Sequence, residues 1–303
     1  MPIKKLDDLV ELAKSKPKKR LITAYAHDES TIRATQKAID LNLVETTLVG
    51  DKEFIINLCK SINIDHNIFE IVNEPDELKA GQKAIELINA GKGDVLMKGL
   101  ISTDNLLRCV LNKENGLMKP KAILSHISIA EIPNYHKLLI FTDPAFIPKP
   151  DLKQKIALTN YVIDTIRKIG VEKPKVALVS ISEKTNPKIS STVDAAIISK
   201  MADRGQIKNA DVDGPLSVDL AISPKSLKVK NVKSCVEGNA DGLVFPFIEA
   251  ANAFFKSLTY FANAEIASYI VGTKVPMTLS SRSDSEKSKL YSIVFACLMA
   301  EEN

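Results

Sequence analysis

Residues Gly93–Asn112 read GDVLMKGLISTDNLLRCVLN. The run Asp94–Leu100 is apolar without alternation, the pattern of a strand buried on both faces. It closes on Lys98-Gly99, turns through polar residues, and passes into a helix with Ser102 or Thr103 as its N-cap. Strands buried on both faces belong to parallel sheets flanked by helices. The fold therefore turns on whether this strand–turn–helix unit recurs along the chain.

It does, in both directions. Upstream, Leu21–Ala26, Leu43–Val49 and Ile68–Val72 read as strands. Helical spacing fills "STIRATQKAIDLN", "KEFIINLCKSINI" and Asp76–Lys92, the last ended by Gly91 and Gly93. Downstream, the strands are Lys137–Asp143, Lys175–Ser182, "ADVDGPL", "DGLVFPFI" and "SYIVG". They alternate with helices over Asp151–Ile169, Ser190–Arg204 and Glu249–Ala264. In the last helix Leu290, Ile293, Val294, Cys297 and Leu298 keep helical spacing. Such alternation predicts α/β layers with mostly parallel strands.

The 303 residues suggest two domains. "PAFIPKPD" (Pro144–Asp151) breaks the rhythm with three prolines, so the expected division is 1–145 plus 283–303 against 146–282. At 45% apolar and 26% charged the chain sits in the globular range. No run is long and apolar enough for a membrane helix. The first residues, "MPIKKLDDLVELAKSK", lack the core of a signal peptide. Four scattered cysteines show no metal or redox spacing, and a cytoplasmic setting is expected. A net charge of +4 does not argue for nucleic acid. The basic run Lys14–Arg20 reads as a solvated connection.

Several chemistries find no motif. There is no P-loop, "GKGD" at Gly91 is no dinucleotide fingerprint, and the four histidines lack ligand spacing. A nucleophile elbow is also absent.

One stretch stands apart. "TLSSRSDSEKSKL" (Thr278–Leu290) follows a strand pattern and opens the last helix. Ser283 or Asp284 as an ordinary cap explains most of it. Arg282 is not explained so, because a cation at a helix start opposes the macrodipole by about 0.3–1 kcal/mol. A bound anion offsets that penalty, since a charge-assisted hydrogen bond contributes about 1.5–3 kcal/mol. Ser281–Arg282 is therefore read as an anion site at a strand-to-helix turn. For Lys98, Thr103, Asn105 and Arg108 a ligand role and a plain capped helix stand about even. Asn239, Asp241, Asn252 and Lys256 either line a channel or finish strands. Phe245, Phe247, Phe254 and Phe255 have the spacing of core residues more than of a pocket.

Four stretches taken together resemble the phosphate acetyl/butyryl transferase family, with its butyryl-transferring branch the nearer likeness. They are "LMKGLISTDNLLRCVLNKENGL", "SKMADRGQIKNADVDGPLSVDLAIS", "GNADGLVFPFIEAANAFFKSLTYFANA" and "SSRSDSEKSKLYSI". The resemblance runs in order from about the first strand to the end of the chain. It implies two α/β domains around a cleft, similar to isocitrate and isopropylmalate dehydrogenases. It also implies interconversion of acyl-CoA plus phosphate with acyl phosphate plus CoA, butyryl-CoA being the expected donor. No bound cofactor is implied beyond coenzyme A as substrate and product, no metal, and a homodimer or larger homo-oligomer.

By the same resemblance Ser281 assists at the carbonyl and Arg282 binds phosphate. A further arginine of the family falls on Arg108, while Lys98, Thr103, Asn239 and Asn252 are the remaining candidate phosphate or CoA ligands, read from their own positions in the sequence. The family's carboxylate for the CoA thiol falls on Ser288 here, and Asp284 is the expected substitute, with Glu286 also near. Two other readings remain open. One is a CoA or acyl-phosphate binding protein without turnover. The other is a metal- and nicotinamide-dependent hydroxy-acid dehydrogenase on a similar scaffold, with Asp213 and Asp219 as its nearest acidic pair.

Overall fold

A computed structural model describes residues 3–279 and 285–301. The chain forms two compact units, Asp7–Leu124 with Ala267–Asn303, and Met1–Leu6 with Ser125–Ile266.

The discontinuous first unit starts with helix α1 (Leu6–Lys14) and then alternates strand and helix. The order is β1 (Lys19–Ala24), α2 (Glu29–Asp40), β2 (Val44–Gly50), α3 (Lys52–Ser61), β3 (Glu70–Asn73), α4 (Glu77–Asn89), β4 (Val95–Lys98) and α5 (Thr103–Val110). The later stretch adds most of β10 (Glu265–Val271), then β11 (Met277–Thr278) and α11 (Glu286–Met299). Its strands lie in the order β3-β2-β1-β4-β11-β10. All the described pairings are parallel except that of β10 with β11.

Each strand-to-helix turn ends on a cap. Asp28, Asp51 and Asp76 accept the backbone N–H of Thr31, Phe54 and Lys79 at the starts of α2, α3 and α4. A carboxylate there satisfies an orphan donor and faces the positive helix end. The apolar stripes of α2 and α3 close over the sheet through Ile32, Leu48, Ile55 and Cys59, all without solvent exposure.

The second unit contains β5 (Ser125–Glu131), β6 (Leu139–Thr142), α6 (Leu152–Lys168), β7 (Lys175–Val179), α7 (Ser190–Asp203) and β8 (Asp211–Leu216). Two short helices α8 (Val218–Ile222) and α9 (Pro224–Lys230) follow, then β9 (Gly242–Val244) and α10 (Ile248–Phe261). The strand order is β5-β6-β9-β7-β8, antiparallel only between β5 and β6. Phe141 packs edge-on against Phe245, Phe254 and Phe255 in the core. Those three aromatics are thus core, as their spacing suggests, whereas Phe247 is 39% exposed.

The predicted alternation is present, with differences, among them the short helices α8 and α9, which the sequence reading does not contain. Strand β5 has no counterpart in the sequence reading. The division between units falls at 124/125 and 266/267, not at 145/146 and 282/283. The proline-rich stretch does not part the units: β6 on one side of it and α6 on the other lie in the same compact unit.

Candidate functional site

In the first unit β1, β4 and β11 run parallel, with Ala24 opposite Lys98 and Thr278 opposite Met97. Lys98 therefore ends the strand that lies between the carboxyl ends of β1 and β11, the edge where α/β folds place ligands. Its side chain is 8% exposed, and Nζ donates to the Gly99 carbonyl at 3.2 Å. A buried ammonium is costly without compensating charge or hydrogen bonds.

The turn after Lys98 is pinned. Gly99 and Leu100 donate backbone N–H to the carbonyls of Ala24 and Tyr25 at 2.9 and 2.8 Å. A Cβ on Gly99 would lie 2.3 Å from the Tyr25 oxygen, so no other residue fits this approach. Glu77 Oε1 accepts the Ser102 N–H at 2.8 Å and the Asn105 amide at 2.9 Å. The backbone bond from Ser102, then the Asn105 side chain, hold the Glu77 carboxyl below the usual range, helped by the Lys98 charge. Ser102 caps α5 by accepting the Asn105 N–H.

Ser281, Arg282 and Asp284 lie outside the described residues, so this structure says nothing of their placement. The nearest described neighbours are Leu279, which follows β11, and Ser285, the N-cap of α11. The described helix thus begins at Glu286, just after the Ser283–Asp284 expected from sequence. Glu286 is occupied by Lys37 at 2.7 Å and Arg33 at 3.7 Å of α2. Ser288 donates its backbone N–H to the Ser285 hydroxyl. Lys289, one residue on, is 5% exposed, and its Nζ donates to Ser30 Oγ at 2.5 Å.

Thr103 and Arg108 sit near opposite ends of α5, about 7.5 Å apart along the helix axis. Both are exposed. Arg108 lines a hollow of about 1060 Å³ together with Lys79, Lys83, Asn89 and Asn112. Thr103 is not among the lining residues, so the structure does not bring these two candidates to one point.

The two asparagines belong to the second unit, at different edges. Asn252 on α10 donates Nδ2–H to the Pro144 carbonyl at 3.0 Å, fixing the loop after β6. In that loop Asp143 Oδ1 accepts the N–H groups of Ala145 and Phe146, and Oδ2 accepts the Ser125 hydroxyl. Burial pushes the Asp143 carboxyl up despite these bonds. His126 lies beside Phe146 and Phe255, and burial pushes its imidazole down to about 4. Asn239 precedes β9, at the amino end of the parallel strands. Its Oδ1 meets His136 Nε2 at 2.8 Å, and its carbonyl accepts Lys137 Nζ at 2.7 Å. These partners make Asn239 a brace between two strand starts.

Asp213 accepts the Ser199 hydroxyl and the Gly214 N–H, while Asp219 takes Ser217 and Lys230. The pair does not share a partner, and no described group of three His, Cys, Asp or Glu converges as a metal cage. No described helix is long and apolar enough to cross a membrane.

Sequence reasoning missed Glu77 and Lys289. A glutamate at a helix start and a lysine in a polar run both read as solvated, and only packing against α5 and α2 reveals their roles.

The profile of one family, described as phosphate acetyl/butaryl transferase, matches residues 77–297. A phosphate butyryltransferase of Clostridium acetobutylicum is 43% identical over 298 residues, covering 98% of this chain and 99% of the relative. The crystal structure of a branched-chain phosphotransacylase from Enterococcus faecalis V583 is 32% identical and superposes with a TM-score of 0.82, covering 93% of this chain and 99% of that one. A putative 4-hydroxythreonine-4-phosphate dehydrogenase from Salmonella typhimurium shares the fold alone, at 12% identity and a TM-score of 0.57 over 94% of this chain and 100% of that one.

Proposed function

The chain belongs to the phosphate acetyl/butaryl transferase family, and from that premise we propose that it interconverts acyl-CoA plus inorganic phosphate with acyl phosphate plus CoA. Butyryl-CoA is the proposed acyl donor. The observation that carries this reading is the near full-length similarity to a phosphate butyryltransferase.

A phosphate oxygen attacks the thioester carbonyl, the carbon–sulfur bond breaks, and the proton of the hydrogen phosphate passes to the departing thiolate. Charge develops on the carbonyl oxygen and on sulfur, so fixed cations and donors are the main help a protein can supply. Arg282 and Lys98 would hold the phosphate, and Ser281 would donate to the carbonyl oxygen. The burial of Lys98 at the carboxyl ends of β1, β4 and β11 supports its part.

Asp284 would pass the thiol proton. The ion pairs of Glu286 with α2 leave it poorly suited to that task. Arg108, lining an open hollow with Lys79, Lys83, Glu74 and Glu86, is the proposed contact for the anionic nucleotide end of CoA, and Thr103 for an intervening segment. Asn252 would act through the loop it fixes. The working form would be a homodimer or larger assembly in the cytoplasm.

The test is release of CoA thiol from acetyl-, butyryl- and longer acyl-CoAs, each with and without phosphate. Release that needs phosphate and is fastest with butyryl-CoA is expected. Arg282→Gln should raise the phosphate KM about tenfold or more and lower kcat. Unchanged phosphate kinetics in that variant would remove Arg282 from the scheme. Ser288, standing where the family has a carboxylate, favours one second reading, a binding protein without turnover. CoA binding with no thiol release would establish it.

A further inference from the structure

The start of α11 is fastened to α2 by two oppositely charged contacts. Glu286 reaches Lys37 at 2.7 Å and Arg33 at 3.7 Å. Lys289 reaches Ser30 Oγ at 2.5 Å and Asp28 Oδ1 at 3.7 Å. The earlier residue of α11 meets the later residues of α2, so the two helices run antiparallel. Their charge patterns also fix the register. A slide of one turn in one direction would set Lys289 beside Arg33, and in the other would set Glu286 beside Glu29. Each brings like charges together.

Lys289 is an expensive residue in this place. It lies in the first turn of α11, where a cation opposes the helix dipole, and it is 5% exposed. A lysine serving only solubility would point outward. Its partner Asp28 is fully engaged. Asp28 Oδ1 accepts Ser30 Oγ and the Thr31 N–H at 2.6 and 2.9 Å, and Oδ2 accepts Thr31 Oγ1 at 2.6 Å. Burial alone would raise the Asp28 carboxyl. The hydrogen bonds from Ser30 and Thr31 and the Lys289 charge together hold it below the usual range. Asp28 stays charged, and Lys289 has a fixed anion to face. The cluster belongs to the turn after β1, beside the strand that ends in Lys98.

We propose that Lys289, seated on Ser30 and Asp28, is a positioning residue for phosphate. It locks the register of α11 against α2 at the turn after β1, beside the strand that ends in Lys98. The idea rests on the transferase reading above. It concerns the inorganic phosphate half of the reaction, not the acyl-CoA half, and that asymmetry makes it measurable.

Initial rates of thiol release by the full-length protein would be measured against phosphate at saturating acyl-CoA, and against acyl-CoA at saturating phosphate. Lys289→Met should raise the phosphate KM about tenfold or more while the acyl-CoA KM stays within about twofold. Lys289→Arg should recover most of the loss. Glu286→Lys should weaken phosphate use in the same way, and Glu286→Lys combined with Lys37→Glu should restore it.

A phosphate KM within about twofold of the parent in folded Lys289→Met overturns the proposal. So does a parallel fall in every kinetic constant that tracks the thermal midpoint in both Lys289 variants. Should Lys289→Met not fold, Ser30→Ala decides the matter by the same split in KM values. A parent enzyme that turns over while Lys289→Met keeps its phosphate KM sinks the positioning role alone. A parent enzyme with no phosphate-dependent release sinks the transferase reading with it.

Discussion

Glu77 and Asp143 are carboxyls whose surroundings push them in opposite directions, and acid should tell them apart. Glu77 is lowered by the backbone N–H of Ser102 and the amide of Asn105. Its stabilisation is present above the unfolded value of about 4.3 and is lost as pH falls through the lower folded value. Asp143 is raised by burial. Its folded form binds the proton more tightly, so its contribution is greatest below the unfolded value of about 3.9 and declines as pH rises through the folded one. Urea midpoints between pH 3 and 7 check both signs. The deficit of Glu77→Gln should be clear at pH 7 and shrink as pH falls towards 3. The advantage of the parent over Asp143→Asn should shrink from pH 4 to pH 7. Neither behaviour was legible in sequence, because Glu77 depends on donors brought from elsewhere, Ser102 and Asn105, and Asp143 on burial that only the folded chain creates.

Among the elements, what sequence shows well is what the backbone and the apolar pattern decide locally. β4 and β6 are buried along their whole length and announce themselves as unbroken apolar runs. β5 is buried up to Ala130, yet it carries Ser125, His126 and Ser128 among its isoleucines. Their hydrogen bonds with Thr142, Asp143 and one another make that burial tolerable, and no local pattern records them.

The caps are the opposite case. Asp51 sits between strand and helix as a capping residue should, and its Oδ1 accepts the Phe54 N–H at 3.0 Å. Asp51→Ala should cost about 1 kcal/mol by urea denaturation, with acyl transfer little changed. Of the candidate site, the strand–turn–helix containing Lys98 was readable from its glycine and its cap. Lys289 was not. Its burial comes from α2, hundreds of positions away in the chain.

At the scale of the molecule, the chain's two compact units part at 124/125 and 266/267, away from the proline-rich stretch. The stretch Pro144–Asp151 looks like a hinge in sequence, but Asn252 and Asp143 tie it into one unit. The first unit needs the stretch from Ala267 onward, because β11 pairs with β4 and α11 supplies Ile293, Val294 and Phe295, all without exposure. The second unit holds its described sheet within 125–266. A chain ended after Ile266 should therefore yield, under limited proteolysis, a resistant fragment beginning near Ser125, while the preceding segment is digested. Equal survival of both segments would show that the first unit closes without β11 and α11.

The late arrival of β11 and α11 also bears on synthesis. A ribosome delivers the four earlier strand–helix turns of the first unit, then the second unit's sheet, before the residues that complete the first unit's sheet emerge. The nascent chain must carry an unfinished edge at β4 throughout that interval. This later stretch would act as a fastener, so termination before it should leave an aggregation-prone product even though the piece is short.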